Sequence, residues 1–221
     1  YNKRISTQRI SRIFNALASV VGEKVIFKRL DSESTSRDIK RVVELLVDSR
    51  VILSCNHSDG NTVPLEGESD SKIFKTYFLD IGLLNSLLRL DVDTIETEFR
   101  NNFNTKGMIA EQYVAQHLNF FSSPSLNPRL HYHLKDKRSQ KAEVDFLVES
   151  KDHIVPIEVK ASSKGHLKSM KYFCESKKSS IGIKVSLAKF SIDDDFVDGA
   201  KLLCLPLYAI EYLKSNLDKV L

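Results

Sequence analysis

Two acidic residues and a lysine, Asp145 and Glu158-Val159-Lys160, stand in two short runs that alternate polar and apolar residues. In Glu143-Val144-Asp145-Phe146-Leu147-Val148 a strand period of two sets Val144, Phe146 and Val148 on one face and Glu143 and Asp145 on the other. In Val155-Pro156-Ile157-Glu158-Val159-Lys160 the same period buries Val155, Ile157 and Val159 and sets Pro156, Glu158 and Lys160 opposite. The linker Ser150-Lys151-Asp152-His153 is short enough to join the two runs as a hairpin. With both polar faces on one side, Asp145 and Glu158 converge and Lys160 stands beside them. Adjacent carboxylates repel unless a cation lies between them. Mg2+ (or Mn2+) prefers oxygen ligands from one or two carboxylates, with the other positions left to water and substrate phosphate. Such an ion would polarise a phosphodiester and help generate the attacking hydroxide, while Lys160 orients the water or neutralises developing charge.

A helix expected over residues 106–121 supplies a fourth member. Met108, Glu111, Ala115 and Leu118 follow helical steps, so Glu111 falls in the apolar stripe, and an acid turned toward a core needs a partner. A metal, directly or through water, would be one partner and Lys160 another. The bland alternative is that acids alternating with Val and Ile describe any half-exposed hairpin, with Glu158 and Lys160 an ordinary ion pair. His131 and His133 share a strand face and could bind Zn2+, but no Cys or third His lies near in sequence. They read as substrate-facing or exposed. Lys135, Lys137, Arg138 and Lys141 lead into the first acidic strand, either as phosphate contacts or as an exposed loop.

These residues need a scaffold, and the composition is that of a globular chain: 221 residues, 42% hydrophobic and 28% charged. Three cysteines, Cys55, Cys174 and Cys204, are too far apart for a disulfide framework or a CxxC knuckle. The longest apolar stretch, residues 202–210, is about half of a membrane span, and no secretory signal opens the chain. A soluble cytoplasmic protein with no membrane partner is expected. Seven Lys/Arg face one acid over residues 1–30, and fourteen face seven acids over residues 125–190. Two basic regions separated by an acidic one suit a phosphate-rich partner such as DNA.

Residues 6–21 and 36–48 carry helical apolar stripes. Strands are expected at 49–54 and 72–79, around a polar stretch at 56–71. Helices followed by a strand, a polar turn and a strand are the layout of a winged helix. Residues 36–48 would then be the recognition helix and 56–71 the wing. Ser34, Thr35, Arg37, Lys40 and Arg41 would face DNA, although winged helices also serve as protein–protein modules. An acidic connector at 91–105 divides residues 1–95, the winged-helix-like domain with its connector, from residues 96–221. The second domain reads α-β-β-β-α-β-β-α, a mixed α/β order with hairpins at one end.

Glu111, Asp145 and Glu158-Val159-Lys160 resemble the PD-(D/E)XK nuclease superfamily over roughly residues 106–205, with Val144 in the place of the family's proline. His166, Leu167 and Tyr172 stand where RecB-type members carry a Gln-Leu-x-x-x-x-Tyr-like element. The resemblance implies a restriction-endonuclease-like α/β domain. Asp145 and Glu158 would be metal ligands, Lys160 the catalytic lysine, and Glu111 the helical acid that joins the metal site. Residues 75–84 and 107–114 also resemble the C-terminal module of prokaryotic AAA-type ATPases, in which a P-loop ATPase precedes a winged helix and a nuclease-like domain. No GxxxxGK[ST] is present, and the first residue is not Met. A C-terminal piece of such an ATPase, or a partner of one in trans, is therefore expected. The function this implies is a Mg2+-dependent DNA endonuclease. The alternative is a non-catalytic DNA- or protein-binding module that regulates an ATPase.

Overall fold

The computed structural model describes residues 5–90, 103–121, 129–137, 140–162 and 166–220. The amphipathic stripes fold as expected into α1 (Thr7–Ala18) and α3 (Ser36–Asp48), and the short apolar run between them forms the single turn α2 (Phe27–Leu30). The Ser6 and Thr35 hydroxyls cap α1 and α3 by accepting from the Arg9 and Asp38 N–H groups, which satisfies donors that the helix leaves open. Strands β1 (Ile52–Ser58) and β2 (Ser69–Phe78) follow as an antiparallel hairpin. Then come α4 (Ile81–Leu88), α5 (Phe103–Asn119), β3 (Leu130–Lys137), β4 (Gln140–Ser150), β5 (His153–Lys160) and α6 (Lys168–Lys177). The chain closes with β6 (Ile181–Ser186), β7 (Ser191–Val197), β8 (Ala200–Pro206) and α7 (Tyr212–Val220). The α/β class expected from the sequence is what the chain adopts, as one mixed eight-stranded sheet in the order β2-β1-β3-β4-β5-β6-β8-β7.

The sheet crosses from one half of the sequence to the other. β1 pairs in parallel with β3, with Cys55 opposite Leu130 and His57 opposite Tyr132. The core is shared in the same way: Ile13, Leu17, Val42 and Tyr77 pack in one cluster with Val114, Phe146, Ile157 and Leu213. Helix α5 lies against β2, β3 and β5, and α6 against β4, β5, β6 and β7.

Three expectations need correction. The stretch after β1 is not a free wing. Leu65 is buried with Val144, Leu147 and Phe173, Gly60 sits against Phe173 and Leu147, and Lys177 donates to Asn61 at 2.5 Å. The physical reason is a lone Leu in a polar segment, which finds an apolar pocket on the opposite half. β7 is a strand that the sequence pattern does not announce, because Asp193, Asp194 and Asp195 disfavour one; it survives as an edge strand with that acidic run in water. His131 and His133 are buried and not exposed. His133 Nδ1 lies 3.2 Å from the Ser58 carbonyl, and His131 Nε2 lies 3.2 Å from Glu66 Oε2.

Candidate active site at the fork of two strands

The ladder between β4 and β5 runs from Ser150 opposite His153 to Phe146 opposite Ile157. β4 then continues against β3, and β5 against β6. The opening between the diverging strands is where the acidic residues collect. Asp145 reaches across it, its Oδ2 accepting from the Val159 N–H at 2.7 Å. Simple alternation does not hold here. The β3–β4 register slips between His131 and His133, so Asp145 and Phe146 together face Tyr132. As a result Val144 packs with Leu147, Leu65 and Phe173, while Phe146 enters the main core. Such a bulge re-aims a side chain and ends a regular pairing.

Glu158 and Asp145 are both buried. Lys160 Nζ donates to Glu158 Oε1 at 2.5 Å, and Glu158 Oε2 is buried with no hydrogen-bond partner. Glu111 arrives from α5, and two devices fix its place. Gln112 beside it is fully buried and clamps the backbone of β2, accepting from Phe78 N at 2.8 Å and donating to Phe78 O at 2.7 Å. The Tyr77 hydroxyl donates to Glu111 Oε2 at 3.2 Å. Gly22 presses from the other side with φ +75°, and a Cβ there would stand 2.9 Å from Glu111 Oε2.

The N-terminal half therefore supplies part of the site. Lys75 on β2 is ion-paired with Glu143 and lies 4.0 Å from Glu111 Oε2. Lys184 on β6 is register partner to Glu158 and also buried. Neither Lys75 nor Tyr77 is expected from the spacing of the acidic motif, which does set Glu143 on one polar face with Asp145. For Lys75 a signal exists in its setting, Ile73-Phe74-Lys75-Thr76-Tyr77-Phe78, where an otherwise apolar run carries one cation.

Electrostatics bind the group together. Burial, then the Asp145 charge, pushes Glu158 up to about 8 and Glu111 up to about 8. Asp145 is raised as well, by burial, against the pull of Lys75 and the Val159 N–H. Burial alone would lower the Lys75 ammonium, but Glu111, Glu143 and Asp145 together carry it above its ordinary value. Carboxylates held this close want positive charge, and only part of it is covalently provided. Among the described residues no group of three or more His, Cys, Asp or Glu could hold a metal ion by itself. The unpartnered Glu158 Oε2 beside Asp145 does fit an ion that takes two protein oxygens and fills its remaining positions with water and phosphate.

Compared with known proteins, residues 106–208 match a domain of unknown function (DUF4143). Residues 1–94 match a second domain of unknown function (DUF8612). Neither description assigns an activity. No curated protein matches the chain. Among solved structures, the crystal structure of protein VC1899 from Vibrio cholerae is similar over 96% of this chain, with 13% identity and a TM-score of 0.29. This chain spans 50% of that one.

Of the residues singled out by sequence, Glu111, Asp145, Glu158 and Lys160 come together. The basic candidates do not join them. Thr35, Arg37, Lys40 and Arg41 are exposed on α3, which packs on α1, α2 and β1. Lys40 there pairs with Glu44 at 3.6 Å. Ser34 is buried, its hydroxyl donating to Asp31 at 2.7 Å, so it cannot face a partner. Lys135 lies over the Tyr172 ring, 3.7 Å from its centroid. Arg138 and the side chains of Lys137 and Lys141 lie outside the described residues, as does the expected domain boundary near residue 95. Among the described residues no helix is long and apolar enough to cross a membrane.

Proposed function

We propose that this chain carries a metal-dependent phosphodiesterase site of the PD-(D/E)XK kind, acting on DNA, behind a winged-helix-like unit that positions the substrate. The observation that carries the reading is the convergence of Asp145, Glu158, Lys160 and Glu111 at the fork of β4 and β5, with Glu158 Oε2 left unpartnered. Asp145 and Glu158 would hold Mg2+ or Mn2+, with Glu111 directly or through water, and the ion when bound would supply polarisation of the phosphodiester. The chain's own residues do the rest. Lys160, partly exposed and tethered to Glu158, presents an ammonium to the developing negative charge. Glu111 accepts from the Tyr77 hydroxyl and lies 4.0 Å from the Lys75 ammonium, which together hold its carboxylate at the edge of the site. Thr35, Arg37, Lys40 and Arg41 on α3 would meet backbone phosphates.

The test is incubation of supercoiled, linear, single-stranded and branched DNA with Mg2+ or Mn2+, for the parent, Asp145→Ala and Lys160→Ala. Metal-dependent cutting by the parent and none by either variant is the expected result.

A second reading has its own support. Domains of the kind matched by residues 106–208 are often found at the C-terminus of AAA ATPases, and Lys75 and Lys160 already neutralise part of the carboxylate charge. On that reading the chain is a non-catalytic module that binds DNA or protein and regulates an ATPase. No cutting of any substrate, with DNA binding unchanged by Asp145→Ala, would favour it.

A further inference from the structure

A lysine on an outer strand ordinarily sends its ammonium to water, and Lys75 does the opposite. β2 ends the sheet, yet the Lys75 side chain is only 1% exposed. Its Nζ is paired with Glu143, lies 4.0 Å from Glu111 Oε2 and stands 5.0 Å from the centre of the Tyr132 ring. An ammonium taken out of water at such cost persists only where fixed negative charge compensates it.

The strand cannot withdraw it. On one side the Gln112 amide clamps Phe78. On the other, Gly22 N donates to Thr76 O at 3.3 Å, Val25 N donates to Phe74 O at 2.9 Å, and Lys24 bridges to Lys75 itself. Within the acidic cluster Glu158 keeps one oxygen without a partner and pairs the other with Lys160, whereas Glu111 and Glu143 are the carboxylates paired with Lys75. A second metal ion would need carboxylate oxygens that Lys75 already engages.

We propose that Lys75 is a built-in cation that positions Glu111 and Glu143 in place of a second divalent ion, so that the site takes a single divalent cation at Asp145 and Glu158. This rests on the metal-dependent reading above and deepens it. It also makes the N-terminal half part of the site, since without β2 the second half lacks one of its counter-charges.

The test counts bound Mn2+ on the full chain by calorimetry and electron paramagnetic resonance, without substrate. The parent should bind one ion. Lys75→Met should bind two, and Lys75→Arg, which restores a fixed charge, should bind one. In thermal melts without metal, Lys75→Met should unfold at lower temperature than the parent, and Mn2+ should recover more of that loss than it adds to the parent. Two ions on the parent, or one ion on Lys75→Met with unchanged affinity, would overturn the inference and leave the metal-dependent reading standing. No Mn2+ on the parent at millimolar concentration would overturn both. Lys75→Gln, which keeps a polar side chain, serves if the Met variant does not fold, and the parent's own count decides if neither does.

Discussion

Replacing Asp145 by Asn should abolish any metal-dependent activity and at the same time make the metal-free protein more stable at alkaline pH. The geometry favours a clean substitution, because an amide oxygen can still accept from Val159 N, now 2.7 Å from Oδ2. What disappears is the charge. Glu158 is carried from an ordinary 4.5 to about 8, and at about 1.4 kcal/mol per pH unit its ionisation in the folded protein costs about 5 kcal/mol. Burial is the larger cause and Asp145 the second, so removing the Asp145 charge relieves only part of that cost. Lost attraction to Lys75 and Lys160 works the other way, yet Asp145 is itself raised, so its charge is a net cost to the fold. The net gain should be about 1–2 kcal/mol.

The sign with pH follows from the direction of the shifts. Carboxyls whose folded values are raised contribute stability that is full below their unfolded value of 4.5 and is lost as pH rises through about 8. The gain from Asp145→Asn should therefore be present at about pH 9 and nearly absent at about pH 5, where Glu111 and Glu158 hold protons. Urea unfolding of parent and variant at both pH values, with a chelator present, measures it. A variant less stable than the parent at high pH, or a shift of equal size at both, would refute the electrostatic account.

Other consequences can be checked in the same way. Leu65→Ala should cost about 2–5 kcal/mol, as for other buried leucines, because Leu65 is 1% exposed among Val144, Leu147 and Phe173; an unchanged urea midpoint would mean that the segment is not docked. Gly22→Ala forces a side chain into a left-handed backbone at φ +75° and against Glu111; a loss of about 1–2 kcal/mol is expected from the backbone alone, with Asp145→Asn reducing none of it. Burial lowers His131 and His133, so the stability they contribute is complete above their unfolded value of about 6.5 and is lost as pH falls below it. Chemical shifts of both imidazoles should report a midpoint below that of an exposed histidine. Replacing Arg37, Lys40 and Arg41 together by Ala should lower the slope of log affinity for DNA against log salt by about 0.9 for each phosphate no longer neutralised; an unchanged slope would remove α3 from the interface.

The sequence by itself determined the local elements and the acidic set. Helical stripes in α1 and α3, the cap residues Ser6 and Thr35, and the alternation around Glu158 all act over a few residues, and near neighbours in the chain are enough to read them. Glu111 is legible too, because an acid in an apolar helical stripe is a local anomaly. Tertiary structure decided what no local pattern carries. The parallel pairing of β1 with β3 joins residues about seventy-five positions apart, and the slip between His131 and His133 depends on a partner strand that neither strand encodes alone. That slip sends Asp145 across to Val159 and breaks the two-residue period from which its position is read in the sequence. Lys75 enters the site for the same reason. A buried ammonium is tolerated only where folding gathers Glu111 and Glu143 around it, and charge compensation is a property of the assembled sheet and helix, not of the residues beside it in the chain.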